Sequence, residues 1–465
     1  MVILGNDTHP MHSSDAWTQP RLRWTRRIIA SVVMLALIGT LTIAGGAWLG
    51  LQSRLNSRAM QIPVMTSDNG SKVGTAPSTP VDPNDGRPLN ILVLGQDTRG
   101  GNKENADIGG HDPADVDNHQ ADTAMIVHIS ADRDRIEVVS LPRDSIVNQP
   151  ACATTNGVAP SRDNVMLNST FAYGWKYAGN LESAVSCEMA TVNAMTGLDI
   201  TQSVVVDFAG LSKMVDAIGG VDICVPAKVD DVNTNLRLDP GMRHLNGVDA
   251  TQYARVRHGV DGADGSDIMR TVRQQTVIKA LMRQALSNGT LSNPSKLYSL
   301  GISAIDSLTM SSGLASAPVL TGLAYSLRNM NFDDVQTMTV PVVPWSQDTN
   351  RVVWAEGSDS IWENIRNDRP LGSDDTTTDD STGHTPVPEH DSDANDGQAQ
   401  TPADNDGFVM DESIGLLRNA DTGELRDPTT GGRVDPDTGY VYDPATGGVV
   451  GLAYQYVGKT ICKVE

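Results

Sequence analysis

Five short blocks of the chain carry residue types that could do chemistry together. Asp97 and Arg99 follow an apolar run in Leu94-Gly-Gln-Asp-Thr-Arg99, and Asp122 opens a second run. Arg143 and Asp144 end a third, in Ser140-Leu-Pro-Arg-Asp144. Arg255 and Arg257 alternate in Tyr253-Ala-Arg-Val-Arg-His258, and Asp267, Arg270, Arg273 and Gln274 open a helix-like stretch. Arginine grips phosphate oxygens through a planar fork of N–H donors. Asp97 and Asp122 suit a hard divalent cation, most simply Mg²⁺. A cation beside several guanidiniums is what a pyrophosphate needs, because it offsets the ground-state charge and stabilises a leaving phosphate. Each block alone has an ordinary explanation: a turn cap at Asp97, a surface ion pair at Arg143-Asp144, a solvated rim at Arg255 and Arg257. Their combination favours one polyanion site.

The surrounding elements must bring these blocks together. Leu89-Asn-Ile-Leu-Val-Leu94 reads as a buried strand. Thr123 to Ser130 and Ile136 to Leu141 read as a hairpin around a charged turn. Leu181 to Thr196 is helical and stops at Gly197; Asp207 can cap a helix from Phe208 to Ile218. Ile268 to Leu286 is a longer helix with Ser266 or Asp267 as its cap. Strands and helices alternate, which gives an α/β class, and ligands of open α/β sheets bind beyond the strand ends. On an extended segment Arg255 and Arg257 would project from one face. Arg270 and Gln274, four apart, share a helix face within the first two turns, where free N–H groups favour an anion.

Leu89 to Arg99, Ala121-Asp122-Thr123, Ser140 to Asp144, Leu167-Asn168 with Tyr173-Gly174, Gly219 to Asp222, Leu245 to Ala250, Tyr253 to His258 and Asp267 to Gln275 together resemble the LytR-CpsA-Psr (LCP) family in order and spacing. The resemblance is strong from Leu89 to Gln284 and looser to Leu371. It implies a central mixed β-sheet flanked by helices, with a long apolar pocket for a polyprenyl chain. It also implies a Mg²⁺-dependent phosphotransferase that moves a glycopolymer from a polyprenyl-pyrophosphate carrier to peptidoglycan, usually onto a muramic acid 6-hydroxyl. Carried over position by position, Asp97 and Asp122 match the magnesium ligands. Arg143, Arg255, Arg257, Arg270 and Gln274 match the pyrophosphate contacts, and Arg99 matches the Asp-x-Arg motif. Asp267 matches an acidic residue at the helix start and joins Arg143, Arg255, Arg257 and Arg270 in the implied catalytic set.

Three departures from the family's pattern stand out. Gln120 replaces a common basic residue, Trp175 replaces the second glycine after Tyr173, and the loop between Asp97 and Asp122 is long. The same residues would serve a pyrophosphatase on the same lipid or a non-catalytic lipid-glycan binder. No G-x-S-x-G elbow supports a serine hydrolase.

The 465-residue chain has a net charge of −22, which disfavours nucleic acid as a partner. More than half of that charge lies between Asp374 and Glu412, a stretch without Lys or Arg. Ile28 to Leu51 carries no ionisable side chain and follows Arg21, Arg23, Arg26 and Arg27. It reads as a signal-anchor transmembrane helix, with residues 1–27 inside and the rest outside. All four cysteines fall on the outer side, where disulfides persist, and Cys152 with Cys187 is the favoured bridge. The expected organisation is a stalk over 52–88, a catalytic domain over 89–371 and an acidic disordered linker over 372–412. A tail over 413–465 repeats Asp-Pro-x-Thr-Gly at Asp427, Asp435 and Asp443, with Asp421-Thr-Gly423 as a degenerate first copy. The preferred reading of that tail is a turn-rich solvated spacer. A calcium- or wall-binding array is the alternative, although one carboxylate per turn makes a poor calcium site.

Overall fold

Alternating hydrophobic strands build a seven-stranded mixed sheet. Its strands are β1 (Ala59–Met60), β2 (Leu89–Gln96), β3 (Ala121–Ile129), β4 (Ile136–Leu141), β5 (Gln202–Asp207), β6 (Leu308–Ser311) and β7 (Gln336–Thr339). Their spatial order is β1-β6-β5-β2-β3-β4-β7. β3 runs antiparallel to both its neighbours, β2 and β4, whereas β5 lies parallel to β2 and β7 parallel to β4. Every residue of β4 is buried, as expected of a strand covered on both faces. The computed structural model describes residues 50–64, 82, 84–96, 119–261, 267–285, 294–327, 330, 335–371, 407–428, 430–444, 447 and 449–463.

The chain divides into two units, Met1–Arg54 and Leu55–Glu465. In the first, residues 50–54 are described and are helical. The predicted span Ile28 to Leu51 lies outside the described residues except for its last two positions. Among the described residues no helix is long and apolar enough to cross a membrane.

The helices are α1 (Asn168–Ala178), α2 (Leu181–Thr196), α3 (Phe208–Ala217), α4 (Gly247–Arg255), α5 (Asp267–Ala285), α6 (Pro294–Ser307), α7 (Ala317–Ser326) and α8 (Ser358–Arg366). The side chain of Asn180 accepts from Ser183 N at the start of α2, and Gly197 ends that helix at φ 65°. Asp207 accepts from Gly210 N at 2.6 Å to open α3. One core lies under α1, α2 and α8, around Leu94, Ile126, Phe171 and Trp362. A second joins α3, α4 and α5 to the hairpin of Val221–Val225 with Gly241–Leu245. Gly174 is where α1 crosses α2: a Cβ there would stand 2.3 Å from the carbonyl oxygen of Ser183.

Between α1 and α2 lies a fully buried carboxyl, Glu188. Loss of hydration pushes it up to about 8. Thr170 Oγ1 meets both Glu188 Oε2 and the carbonyl of Leu167. The hydroxyl has one proton, so a neutral Glu188 can supply the other hydrogen bond. The native state therefore holds a proton that the unfolded chain releases above the usual carboxylate range. This contribution to stability is full at acid pH and is lost as pH rises through about 8. Glu188→Gln should remove it. The stability gap between wild type and variant should shift toward the variant by up to about 1.4 kcal/mol per pH unit between mildly acid and neutral pH. Denaturant midpoints of the two proteins that stay parallel across that range would refute this.

Both cysteine pairs are bridged: Cys152 with Cys187, and Cys224 with Cys462. The second bridge ties in a segment that the sequence reading left as a disordered, turn-repeat tail. That expectation is corrected. Residues 407–463 fold into a six-stranded antiparallel meander: β8 (Phe408–Asp411), β9 (Leu416–Asn419), β10 (Leu425–Arg426), β11 (Arg433–Val434), β12 (Tyr440–Tyr442) and β13 (Val449–Leu452). Its turns recur every eight residues, at Asp411, Asn419, Asp427, Asp435 and Asp443. In each, the N–H of a glycine four residues on donates to the opening residue's carbonyl at 2.7–2.9 Å. Those glycines, from Gly415 to Gly447, all hold φ between 66° and 72°, which a side chain would disfavour.

The repeated carboxylates serve as turn acceptors. Asp435 Oδ1 takes the N–H groups of Asp437 and Thr438, and Asn419 Oδ1 takes those of Asp421 and Thr422. The degenerate copy is thus registered on Asn419, and a further copy begins at Asp411. Leu416, Leu425, Val434, Val441 and Tyr456 form a small core. The module gains further burial by docking on α5, where Tyr440 and Val449 close over Met269.

Candidate functional site

A β-bulge presents Asp122. Gly95 pairs with Thr123 and Gln96 with Ala121, so Asp122 has no opposite residue on β2. Bulges re-aim a side chain and release a ladder carbonyl. Both effects are used here. The Asp122 carboxylate lies 2.5 Å from Arg143 Nη1, and its backbone carbonyl accepts from Arg270 Nη2 at 2.9 Å. Gly95 suits this tight pairing, since a Cβ there would be 2.9 Å from Thr123 Cβ.

Arg143 follows the buried β4 and is itself 18% exposed. Its Nε stands 3.7 Å from Asp144, which also meets Arg351 at 3.4 Å. The carbonyl of Arg143 accepts from Asn168 N at the start of α1, and Asn168 Nδ2 donates to Gln120 Oε1 at 3.2 Å. Gln120 thus ties the base of β3 to α1 where the family often has a cation. The other departure, Trp175, stacks on His119 with ring centroids 3.7 Å apart. Sequence reasoning missed Arg351 and this stack, because neither partner is near in sequence.

α5 supplies the rest. Arg270 and Gln274 are 4% and 5% exposed. One helical turn apart, they share a face as expected, and Gln274 lines an apolar cavity of about 60 Å³ with Phe208, Leu211, Ala254 and Ile278. Among the described residues Gln274 Nε2 has no hydrogen-bond partner.

The extended reading of Arg255 is corrected. Arg255 is the last residue of α4, Val256 is its C-cap with ψ 129°, and only from there does the chain run out. Apolar positions through Tyr253 and Ala254 carry the helix into the second core, and the buried Val256 separates two half-buried arginines. The Arg255 guanidinium lies 4.9 Å over the Phe208 ring. Arg273, 2% exposed, donates Nε to the carbonyl of Val256 at 3.1 Å. It acts as a positioning residue for Arg255 and Arg257, a role that spacing alone did not reveal.

Asp97 and Arg99 lie outside the described residues, and of Asp267 only its place at the head of α5 is described. Among the described residues no group of three potential metal ligands occurs. Asp122 nevertheless fits one half of a magnesium site: Arg143 engages Oδ1, and among the described residues no hydrogen bond engages Oδ2. A hard carboxylate oxygen matches that ion's preference.

The chain is thus an α/β domain whose mixed sheet carries a bulged aspartate between two arginines, beside an apolar cavity. A model of the LytR_cpsA_psr family matches residues 56–368, and the chain belongs to that family. Among its relatives is the cell wall biosynthesis protein LcpA of Corynebacterium glutamicum, 28% identical over 54% of this chain and 49% of that protein. LcpB of the same organism is 29% identical over 64% and 65%. The chain thus spans between half and two thirds of the length of these relatives. The teichoic acid transferase TagU of Bacillus cereus is 24% identical over 56% of this chain and 72% of TagU. Among solved structures, the LytR-Csp2A-Psr enzyme from Actinomyces oris aligns with a TM-score of 0.44 and 21% identity, over 66% of this chain and 94% of that one.

Proposed function

We propose that the chain is a phosphotransferase that moves a glycopolymer from a polyprenyl-pyrophosphate carrier to peptidoglycan. The observation that carries this reading is the convergence of Arg143 and Arg270 on the bulged Asp122, next to a cavity into which Gln274 presents an unpartnered amide. Relatives named for cell wall biosynthesis and for teichoic acid transfer support it.

In this reading Arg143, Arg255, Arg257 and Arg270 hold the pyrophosphate, and the lipid runs toward the apolar cavity. Mg²⁺ would be held by Asp97 and Asp122 and would neutralise phosphate charge. The acceptor hydroxyl attacks the phosphorus joined to the sugar. A new phosphodiester bond forms, the bond to the polyprenyl phosphate breaks with its electron pair, and that phosphate departs while the hydroxyl proton is released to solvent. The arginine forks, of which Arg270 is buried, stabilise the charge that develops on the transferred group. Ile28 to Leu51 would anchor the protein in the cell membrane, with the N-terminus inside and the catalytic domain facing the wall.

The test is attachment of radiolabelled glycopolymer to peptidoglycan by the Arg255→Ala/Arg257→Ala double variant. Transfer should be nearly abolished while the circular dichroism spectrum is retained. Unchanged attachment would overturn the proposal, and release of free phosphate without a glycan-linked product would identify a hydrolase instead.

A further inference from the structure

We propose that the cleft between α5 and the C-terminal module binds an acidic glycan chain. The cleft encloses about 480 Å³, within the range of about 300–1,000 Å³ typical of ligand sites. One wall comes from α5 through Thr276, Lys279 and Arg283, and the other from Tyr454, Gln455 and Lys459 of the module. Cys224 of the Val221–Val225 strand also lines the cleft, and its bridge to Cys462 ties that strand to the module.

The charge of this cleft runs against that of the protein. The chain carries a net −22, yet three cations line the hollow. The single carboxylate in the lining, Asp222, stands 2.7 Å from His244 Nδ1. Arg283 and Lys459 are exposed, so their charged heads can meet a ligand entering from solvent. Lys459 donates to the carbonyl of Ser413, a neutral acceptor, and among the described residues it has no carboxylate partner. Ile223, Met242 and Leu452 add apolar surface of the kind that the C–H faces of sugar rings cover. Concentrated positive charge in a concave, partly apolar setting selects a polymer that is both anionic and amphipathic.

The family match ends at residue 368, so this cleft exists only because the module docks. Arg283 lies thirteen residues along α5 from Arg270, which is about 20 Å at the helical rise. A chain held in the cleft therefore runs alongside the helix that carries the transfer site. The choice of a glycan over another polyanion rests on the wall-polymer reading above; the preference for an anion does not.

The experiment titrates the purified full chain, by calorimetry, with oligogalacturonate, with a neutral dextran oligomer of equal length and with polyglutamate of equal charge. Oligogalacturonate should bind, and salt should weaken it. Arg283→Glu combined with Lys459→Glu should weaken it by about tenfold or more, and Lys459→Arg alone should leave it intact. Both positions are exposed, and an unchanged melting temperature will show that folding is preserved. Binding untouched by the charge reversal, or equal binding of dextran, would overturn the site. Equal binding of polyglutamate would overturn the glycan assignment. The Arg255→Ala/Arg257→Ala variant should still bind oligogalacturonate, so failure of the cleft and failure of the transfer reading give different results.

Discussion

Arg270→Ala is expected to lower glycopolymer transfer by about 10²- to 10³-fold, the range seen when a buried donor to a developing anion is removed. Arg270 is 4% exposed and donates to the Asp122 carbonyl that the bulge takes out of the ladder. Alanine removes the guanidinium fork that the proposed function assigns to the pyrophosphate, and it leaves that carbonyl without its charged donor, which costs about 1–3 kcal/mol of stability. Arg270→Lys keeps the charge but loses the planar fork, so it should recover part of the stability and little of the transfer. The two effects separate when single-turnover transfer is measured well below each variant's melting temperature. Transfer by Arg270→Ala within threefold of wild type would remove this residue from the site. A loss mirrored by unfolding at the assay temperature would reduce it to a structural role.

The second large effect concerns the bridge between Cys224 and Cys462, whose sequence separation is 238. In the chain-entropy description a loop of that length constrains the unfolded state by about 5 kcal/mol, and strain or residual structure reduces the realised value. Replacing both cysteines by serine should therefore lower the melting temperature by several degrees. It should also loosen the module, whose six-stranded sheet has a core too small to hold much stability alone. The contact of Tyr440 and Val449 with Met269 should lose protection first, and hydrogen exchange at residues 268–276 reads that directly. Mild thiol treatment should reduce this bridge before the other, because Cys152 and Cys187 are wholly buried whereas Cys224 and Cys462 are partly exposed. Unchanged exchange at the start of α5 after reduction would show that the module does not brace that helix.

Much of the family domain was legible from local pattern. The hairpin of β3 and β4 follows from alternating apolar residues around a charged turn, and the end of α2 and the start of α3 follow from Gly197 and Asp207 as caps. These are short-range effects, and neighbouring residues suffice to produce them. The site residues were legible as types: Asp122, Arg143, Arg270 and Gln274 were singled out by chemistry and spacing. Their arrangement was not. Asp122 is aimed by a bulge that depends on how β2 registers against β3, and Arg255 sits on a helix end because Tyr253 and Ala254 are drawn into the second core. Arg273 was legible only as one of the polar residues opening α5, and the fold placed it under the Val256 carbonyl.

The C-terminal segment marks the boundary most clearly. By itself the sequence determined the turns, because Asp or Asn followed four residues later by Gly prescribes a hydrogen-bonded reversal with a left-handed residue, whatever surrounds it. Whether those reversals remain a solvated string or stack into a sheet depends on partners far away in sequence. Cys224 and Met269 supply the anchor and the apolar surface, and neither lies within the repeat. Only the tertiary structure brings them together, because burial and cross-linking are properties of the folded chain and not of a local segment.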